Sequence, residues 1–417
     1  MSQAATTPLP TPHPAGSRQD VKLISLVGGA HLISHYSQLL LAPLFPWLKT
    51  AFGVSYAELG FLMTVFFVVS CAVQAFSGFV VDRYGPRPIL FSGLGLLALA
   101  AFGFAASQSY PMLALFSVVA GVGNGVFHPV DYTLLNRKVT PERLGHAYSV
   151  HGITGSLGWS LAPAMLVPLT VTYSWRVALI AAGVLICAVL AVLLLYRATL
   201  ELPVAHEQKT QGKELPGDTY GFLAIPAVWM CFAFFFFYAA ALSVIQTFAP
   251  SAAGHLHAVV PEVVAMCLSI YMGAAAAGML AGGFMVRNPE RCERIVGIGF
   301  GLAACVALAV GFLDMPGALV PVMFGLMGFA TGTAGPSRDM LVKRSTPANA
   351  SGRVYGVVYS GLDIGQALAP LLFGALMDGG QYRTVWLGLA VVQGVLIVSA
   401  FNVRRARRTA ASAAVAI

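Results

Sequence analysis

The chain has 417 residues, of which 58% are hydrophobic and only 10% charged, and its mean hydropathy is +0.78. That much apolar surface exceeds what a water-soluble core uses, so the composition excludes a soluble enzyme and points to a bilayer. The net charge of +8 reads as a topology signal rather than as a nucleic-acid-binding surface, because almost all of it falls in short loops between apolar runs.

Those runs, broken by Gly, Pro and charge clusters, predict twelve membrane-spanning helices at about 22–46, 56–81, 89–107, 110–136, 145–168, 174–196, 221–250, 261–286, 294–313, 317–342, 352–377 and 383–403. Residues 1–21, rich in Pro, Ser and Thr, are expected to be a disordered tail. The stretch from Leu23 to Leu48 is too long for a signal-peptide core and is expected to stay as helix 1. It carries His31, His35 and Gln38 at i, i+4 and i+7, on one face that should look into the protein. Three readings remain open for that face. The histidines are hydrogen-bonded packing, or they serve a proton or substrate path, or they are a metal pair, for which no third ligand is visible.

Between helices 2 and 3 the chain reads Gly78-Phe-Val-Val-Asp82-Arg83-Tyr84-Gly85-Pro86-Arg87. Gly85 permits a tight turn, Asp82 can accept hydrogen bonds at a helix end, and Arg83 and Arg87 stay at the membrane surface. Helix 4 contains Gly121, Gly123, Gly125 and then Phe127-His128-Pro129-Val-Asp131. His128 and Asp131 share a face, and Pro129 frees a backbone carbonyl for a polar partner. Helix 5 has a small-residue face of Gly152, Gly155, Gly158 and Ala162, with His151 and Pro163, suited to close packing.

Residues 199–220 turn polar and form the expected linker between a first unit (22–198) and a second (221–404), with 405–417 as a second tail. Helix 7 is crowded with Phe232, Phe234, Phe235, Phe236, Phe237 and Tyr238, too continuous for every ring to line a cavity. Arg338 and Asp339 fall inside helix 10 and Asp363 inside helix 11, and charges so placed are functional candidates. Six cysteines are scattered without close pairing, which suggests neither a disulfide framework nor a zinc site.

The chain repeats itself. Gly121 to Pro163, moved forward by 207 residues, lies on Gly328 to Pro370 with twelve identities over 43 positions, among them Gly121/Gly328, Gly125/Gly332, Gly158/Gly365 and Pro163/Pro370. One repeat of half the chain implies two halves of like fold with a substrate site between them. With both termini cytoplasmic, every Lys and Arg except Lys49, Arg176, Arg383 and the intrahelical Arg338 falls on the cytoplasmic side, as the positive-inside bias requires. The repeat also puts Asp131 and Arg338 at equivalent depth, six residues before Arg137 and Arg344, and predicts a pair across the halves that makes and breaks as the halves move. The competing arrangement is local, with Asp131 on Arg87 or His128 and Arg338 on Asp339 or Asp363.

The Gly78 to Arg87 loop, the proline-rich end of helix 1 (Pro43, Pro46) and the Phe127-His128-Pro129 segment resemble the major facilitator superfamily, and within it the fosmidomycin-resistance branch. The resemblance implies an all-α fold of two six-helix halves, with the Asp82 loop latching the cytoplasmic gate. The matching loop of the second half, Gly283 to Arg291, lacks the acidic residue. His35 and Ser117 stand where that branch and many proton antiporters carry an acid and an arginine. The implied function is proton-coupled transport of a small organic solute by alternating access, with export of drug-like or phosphonate-like compounds favoured by the branch. Uptake of an organic anion is the alternative, favoured by Arg338. A membrane receptor or enzyme would need a soluble domain or a catalytic constellation, and neither is present. No phosphate-binding loop occurs, so ATP, a cofactor, a resident metal and nucleic acid are not expected. The expected setting is a monomer in a bacterial inner membrane.

Overall fold

The computed structural model describes residues 14–202, 226–285, 291–345 and 351–415, and every regular element within them is helical. Among the described residues ten helices are long and apolar enough to cross a membrane. The expected first and last spans are not among them, because the first carries the polar face of His31 and His35 and the last has only Tyr382–Val398 as its apolar part.

The first helix, α1 (Pro14–Gln38), starts inside the stretch expected to be disordered. Proline at the start suits its fixed φ, and Asp20 is buried where its Oδ2 accepts a 2.8 Å bond from the Thr140 hydroxyl. A 3-10 turn at Ala42–Leu44 leads to α2 (Phe45–Phe52). Next, α3 (Tyr56–Tyr84) opens on a capping box: the Ser55 hydroxyl accepts from Glu58 N at 3.1 Å and Glu58 Oε2 accepts from Ser55 N at 2.8 Å. Ser55→Ala is expected to cost about 1 kcal/mol, read as a lowered melting temperature in detergent, whereas Thr50→Ala on the exposed face of α2 should change little.

At the other end of α3, Gly85 takes φ +81° to turn the chain into α4 (Pro86–Ala106). The fourth span is broken into α5 (Tyr110–Asn124) and α6 (Phe127–Lys138). Pro129 has no N–H to offer the Gly125 carbonyl four residues back, and the Ser77 hydroxyl donates to it at 3.3 Å instead. The long α7 (Pro141–Thr172) and α8 (Trp175–Leu195) complete the first set. After them come α9 (Pro226–Thr247), α10 (Ala249–His257), α11 (Pro261–Met285), α12 (Cys292–Phe312), α13 (Val320–Ser345), α14 (Ser351–Asp378) and α15 (Tyr382–Val415). The expected second tail is helical to Val415, in keeping with its alanine- and arginine-rich sequence. Most of the expected linker lies outside the described residues.

Helices of the first set pack chiefly on one another, as do those from α9 onward, and α3 with α14 and α7 with α11 join the sets. The repeated glycines sit at the closest approaches. A Cβ on Gly121 or Gly125 would meet the Phe66 or Ser70 carbonyl at 2.6 or 2.5 Å, and one on Gly328 or Gly332 would meet that of Tyr271 or Ala275 at 2.2 or 2.0 Å. Gly158 meets Leu32 O at 2.2 Å just as Gly365 meets Phe236 O at 2.3 Å. Lipid gives no hydrophobic drive to helix pairing, so this backbone proximity is what close packing rests on.

The α3–α14 seam is tied at one end. Asp378 caps α3 across the seam, with Oδ1 accepting from Tyr56 N and Oδ2 from Ala57 N, both at 2.8 Å, and Lys49 Nζ lies 3.6 Å from Oδ1. Thr64 donates to Ala367 O at 2.6 Å farther along. On the other seam Ser160 and Ser269 each donate to the other's carbonyl at 3.2 Å.

Candidate functional site

Three helices of the first set bring four imidazoles and a carboxylate together. His31 and His35 come from α1, His128 and Asp131 from α6, and His151 from α7. Asp131 is fully buried, and its Oδ2 accepts from His31 Nδ1 at 3.0 Å and His151 Nε2 at 3.1 Å. The His31 and His151 rings stack with centroids 3.5 Å apart. His35 lies 4.4 Å from His31 and 4.3 Å from the Trp159 ring. Both nitrogens of His35 are buried without a hydrogen-bond partner, as is Asp131 Oδ1. The small-residue face of α7 makes this possible: a Cβ on Gly155 would stand 2.9 Å from His35 Nδ1 and 3.1 Å from His31 Nε2.

Asp131 therefore does not pair with Arg338. Equal depth along the membrane normal says nothing of which way a side chain points, and two imidazoles of its own set reach the carboxylate first. Nor does it pair with Arg87, which reaches Glu201 Oε2 at 2.9 Å. The Arg338 guanidinium lies over the Tyr238 ring at 4.4 Å and the Phe235 ring at 5.6 Å.

Gln38 joins a second polar group. Its Oε1 accepts from Trp159 Nε1 at 2.9 Å, and Asn124 Oδ1 accepts from Ser34 at 2.8 Å and from Gln38 Nε2 at 3.4 Å. Asn124 Nδ2 donates on to Ser70 at 2.9 Å. A third chain crosses between the sets: His128 Nδ1 meets Gln74 Oε1 at 2.8 Å, and Gln74 Nε2 donates to Asp363 Oδ2 at 3.3 Å. Sequence reasoning missed Gln74 and Trp159 and read His151 only as part of a packing face. Gln74 and His151 carried the available signal, a polar residue inside an apolar span.

Of the loop motif, Arg83 is exposed and lies over the Tyr84 ring at 5.4 Å, and Gly78 has nothing within 4 Å of where a Cβ would stand. The side chains of Asp82 and Asp339 lie outside the described residues.

The model of the Major Facilitator Superfamily matches this chain over residues 27–326 and 294–416. The chain belongs to the major facilitator superfamily. Its similar proteins include the fosmidomycin resistance protein of Escherichia coli (strain K12), 27% identical over 165 residues that cover 38% of each chain. A probable 4-methylmuconolactone transporter of Cupriavidus pinatubonensis is 29% identical over 170 residues, 39% of each chain. These matches span about two-fifths of the length of either relative. Among solved structures, a bacterial homologue of the human lysosomal transporter Spinster, inward-facing and unoccupied, superposes with a TM-score of 0.75 at 16% identity, covering 95% of this chain and 98% of the other. A point mutant of the nucleoside transporter NupG gives a TM-score of 0.71 at 16% identity over 92% and 98%. Both show the fold. As a member of the superfamily the chain is a multi-pass membrane protein, and the relatives named above are a resistance protein and a probable transporter rather than enzymes.

Proposed function

We propose that the chain is a proton-coupled exporter of a small organic solute, built as twelve spans in two six-helix halves that rock about a central site. Both termini lie on the cytoplasmic side of a bacterial inner membrane, and the monomer is the working unit. The sequence repeat and the paired glycine contacts of Gly121, Gly125 and Gly158 with Gly328, Gly332 and Gly365 support the two halves. The loop bias of Lys and Arg supports the orientation, which makes the Asp378 end of the seam the external one. The names of the resistance-protein relatives support a drug-like or phosphonate-like cargo moving outward.

The observation that carries the coupling is Asp363. It is an intramembrane carboxylate of α14, and it reaches across to Gln74 of α3 at 3.3 Å. A group bonded across the seam feels both halves, so taking up or losing a proton there changes the strength of their contact. In reconstituted vesicles with an imposed pH gradient, Asp363→Asn is expected to lower gradient-driven accumulation at least about tenfold while exchange at equal pH continues. Accumulation that still follows the gradient in the variant overturns the assignment. Arg338 over Tyr238 favours a second reading, uptake of an organic anion, and the same vesicles separate the two by the direction in which a carboxylate cargo moves.

A further inference from the structure

We infer that His31, His35 and His128 form a three-histidine site for a divalent transition-metal ion within the first half. One ring nitrogen from each lies within 4.8 Å of those of the other two. Ligand nitrogens on tetrahedral zinc stand about 3.4 Å apart for Zn–N bonds of about 2.1 Å, so side-chain shifts of about 1 Å close the set. The sequence offered two histidines one turn apart and no third ligand. The break at Gly125 and Val126 that starts α6 at Phe127 brings the third, His128, to the pair.

The surroundings are those of a ligand site rather than of packed imidazoles. His31 Nδ1 meets the Asp131 carboxylate and His128 Nδ1 meets the Gln74 carbonyl oxygen. Both partners are acceptors, so each Nδ1 carries the proton and each Nε2 is left with its lone pair. The Gln74 orientation follows from its amide nitrogen donating to Asp363. A carboxylate or amide oxygen fixing one ring nitrogen while the other faces the ion is how protein metal sites hold histidine. His35 adds to this, because both its nitrogens are buried and no side chain hydrogen-bonds to either, with the Gly155 backbone close to the ring, a state a metal bond would relieve. Gly155 keeps the space open, since a Cβ there would press on His35 Nδ1 and His31 Nε2. A second group, His31, Asp131 and His151, has equal proximity, but both its histidines already bond the Asp131 carboxylate and it leaves His35 unexplained. Three protein ligands leave a fourth position, and half-buried His128 is the member through which an ion enters.

The test uses full-length, tag-free protein stripped of metal in detergent and titrated with Co2+ and then Zn2+. The expected result is about one Co2+ per chain with visible ligand-field absorption, displaced by Zn2+. His35→Ala and His128→Ala should weaken Zn2+ binding by more than about 100-fold, and Gln74→Ala by about 10–100-fold, the range of outer-shell partners. His146→Ala, on an exposed residue, should leave affinity unchanged. Should His35→Ala fail to fold, the Zn2+-induced rise in melting temperature of the parent, expected to vanish in His35→Gln, decides. Sub-stoichiometric binding in the parent overturns the site. So does an affinity that survives His35→Ala or His128→Ala, which would mark adventitious surface binding.

Discussion

Gly332→Val should leave little folded protein. The added Cβ would lie 2.0 Å from the Ala275 carbonyl oxygen, 2.7 Å from its carbon and 2.7 Å from its Cα. All three are backbone atoms of α11, so no side-chain rotation relieves them, and α11 and α13 must separate by more than about 1 Å. That separation would also loosen Gly328 from Tyr271 O and Gly278 from Phe329 O along the same seam, where Cβ distances are 2.2 and 2.3 Å. Overpacking a well-packed core costs about 1–3 kcal/mol; forcing a whole backbone seam apart should exceed that and approach the total stability of an ordinary domain, about 5–15 kcal/mol. The measurement is recovery of a monodisperse peak by size exclusion in mild detergent. Gly95→Val, with nothing within 4 Å, serves as the matched control. Equal recovery of the two variants would show that α11 and α13 do not touch at Gly332.

Asp378→Ala is expected to favour the state in which the tied end of the α3–α14 seam opens, by roughly 10–100-fold. The carboxylate makes two 2.8 Å bonds to the first N–H groups of α3, where the helix dipole favours negative charge, and Lys49 stands 3.6 Å away. Hydrogen bonds to charged groups contribute about 1.5–3 kcal/mol each when protected; the Asp378 side chain is 26% exposed, so the pair together is placed near 2 kcal/mol. Asp378→Asn keeps one acceptor and should fall between parent and alanine variant. Spin labels at Thr50 and Gln381, both exposed, on a cysteine-free background would read the change as a longer, broader distance distribution. An unaltered distribution in the alanine variant would mean that Asp378 does not hold the seam.

What the residues disclosed in advance follows from what periodicity measures. Apolar runs and the 207-residue repeat marked the helices, and the glycines of the repeat proved to be the sites of backbone contact. The i, i+4 spacing of His31 and His35 placed both beside His128, since one helical face turns one way, and His31 reached Asp131 as well. Gln38, a turn further on, went to Trp159 and Asn124 instead. The Asp131–Arg338 pair is not formed in this structure, and a repeat fixes depth but not azimuth. A carboxylate stripped of water takes the nearest donors, and these were His31 and His151. His151 was hidden in a run of glycines that looked like a packing surface. It is one, and the space those glycines leave is what admits the imidazoles. The start of α1 at Pro14 was missed because low apolar content was taken for disorder, while a buried Asp20 bonded to Thr140 is a tertiary tie that composition does not show.

The two faces of α7 make it a mechanical link. Gly155 and Gly158 press on α1 beside His31 and His35, while Ser160, less than one turn beyond, is bonded to Ser269 of α11. Sliding α11 must therefore either break the paired serine bonds or drag α7 along its own axis. Helix displacements in switching proteins run about 1–2 Å, far more than the slack in the 3.0 and 3.1 Å bonds by which Asp131 joins His31 to His151. With α1 seated on glycine there is no side-chain cushion to absorb the travel. A displacement of α7 by that much would therefore be felt at the carboxylate that joins His31 to His151.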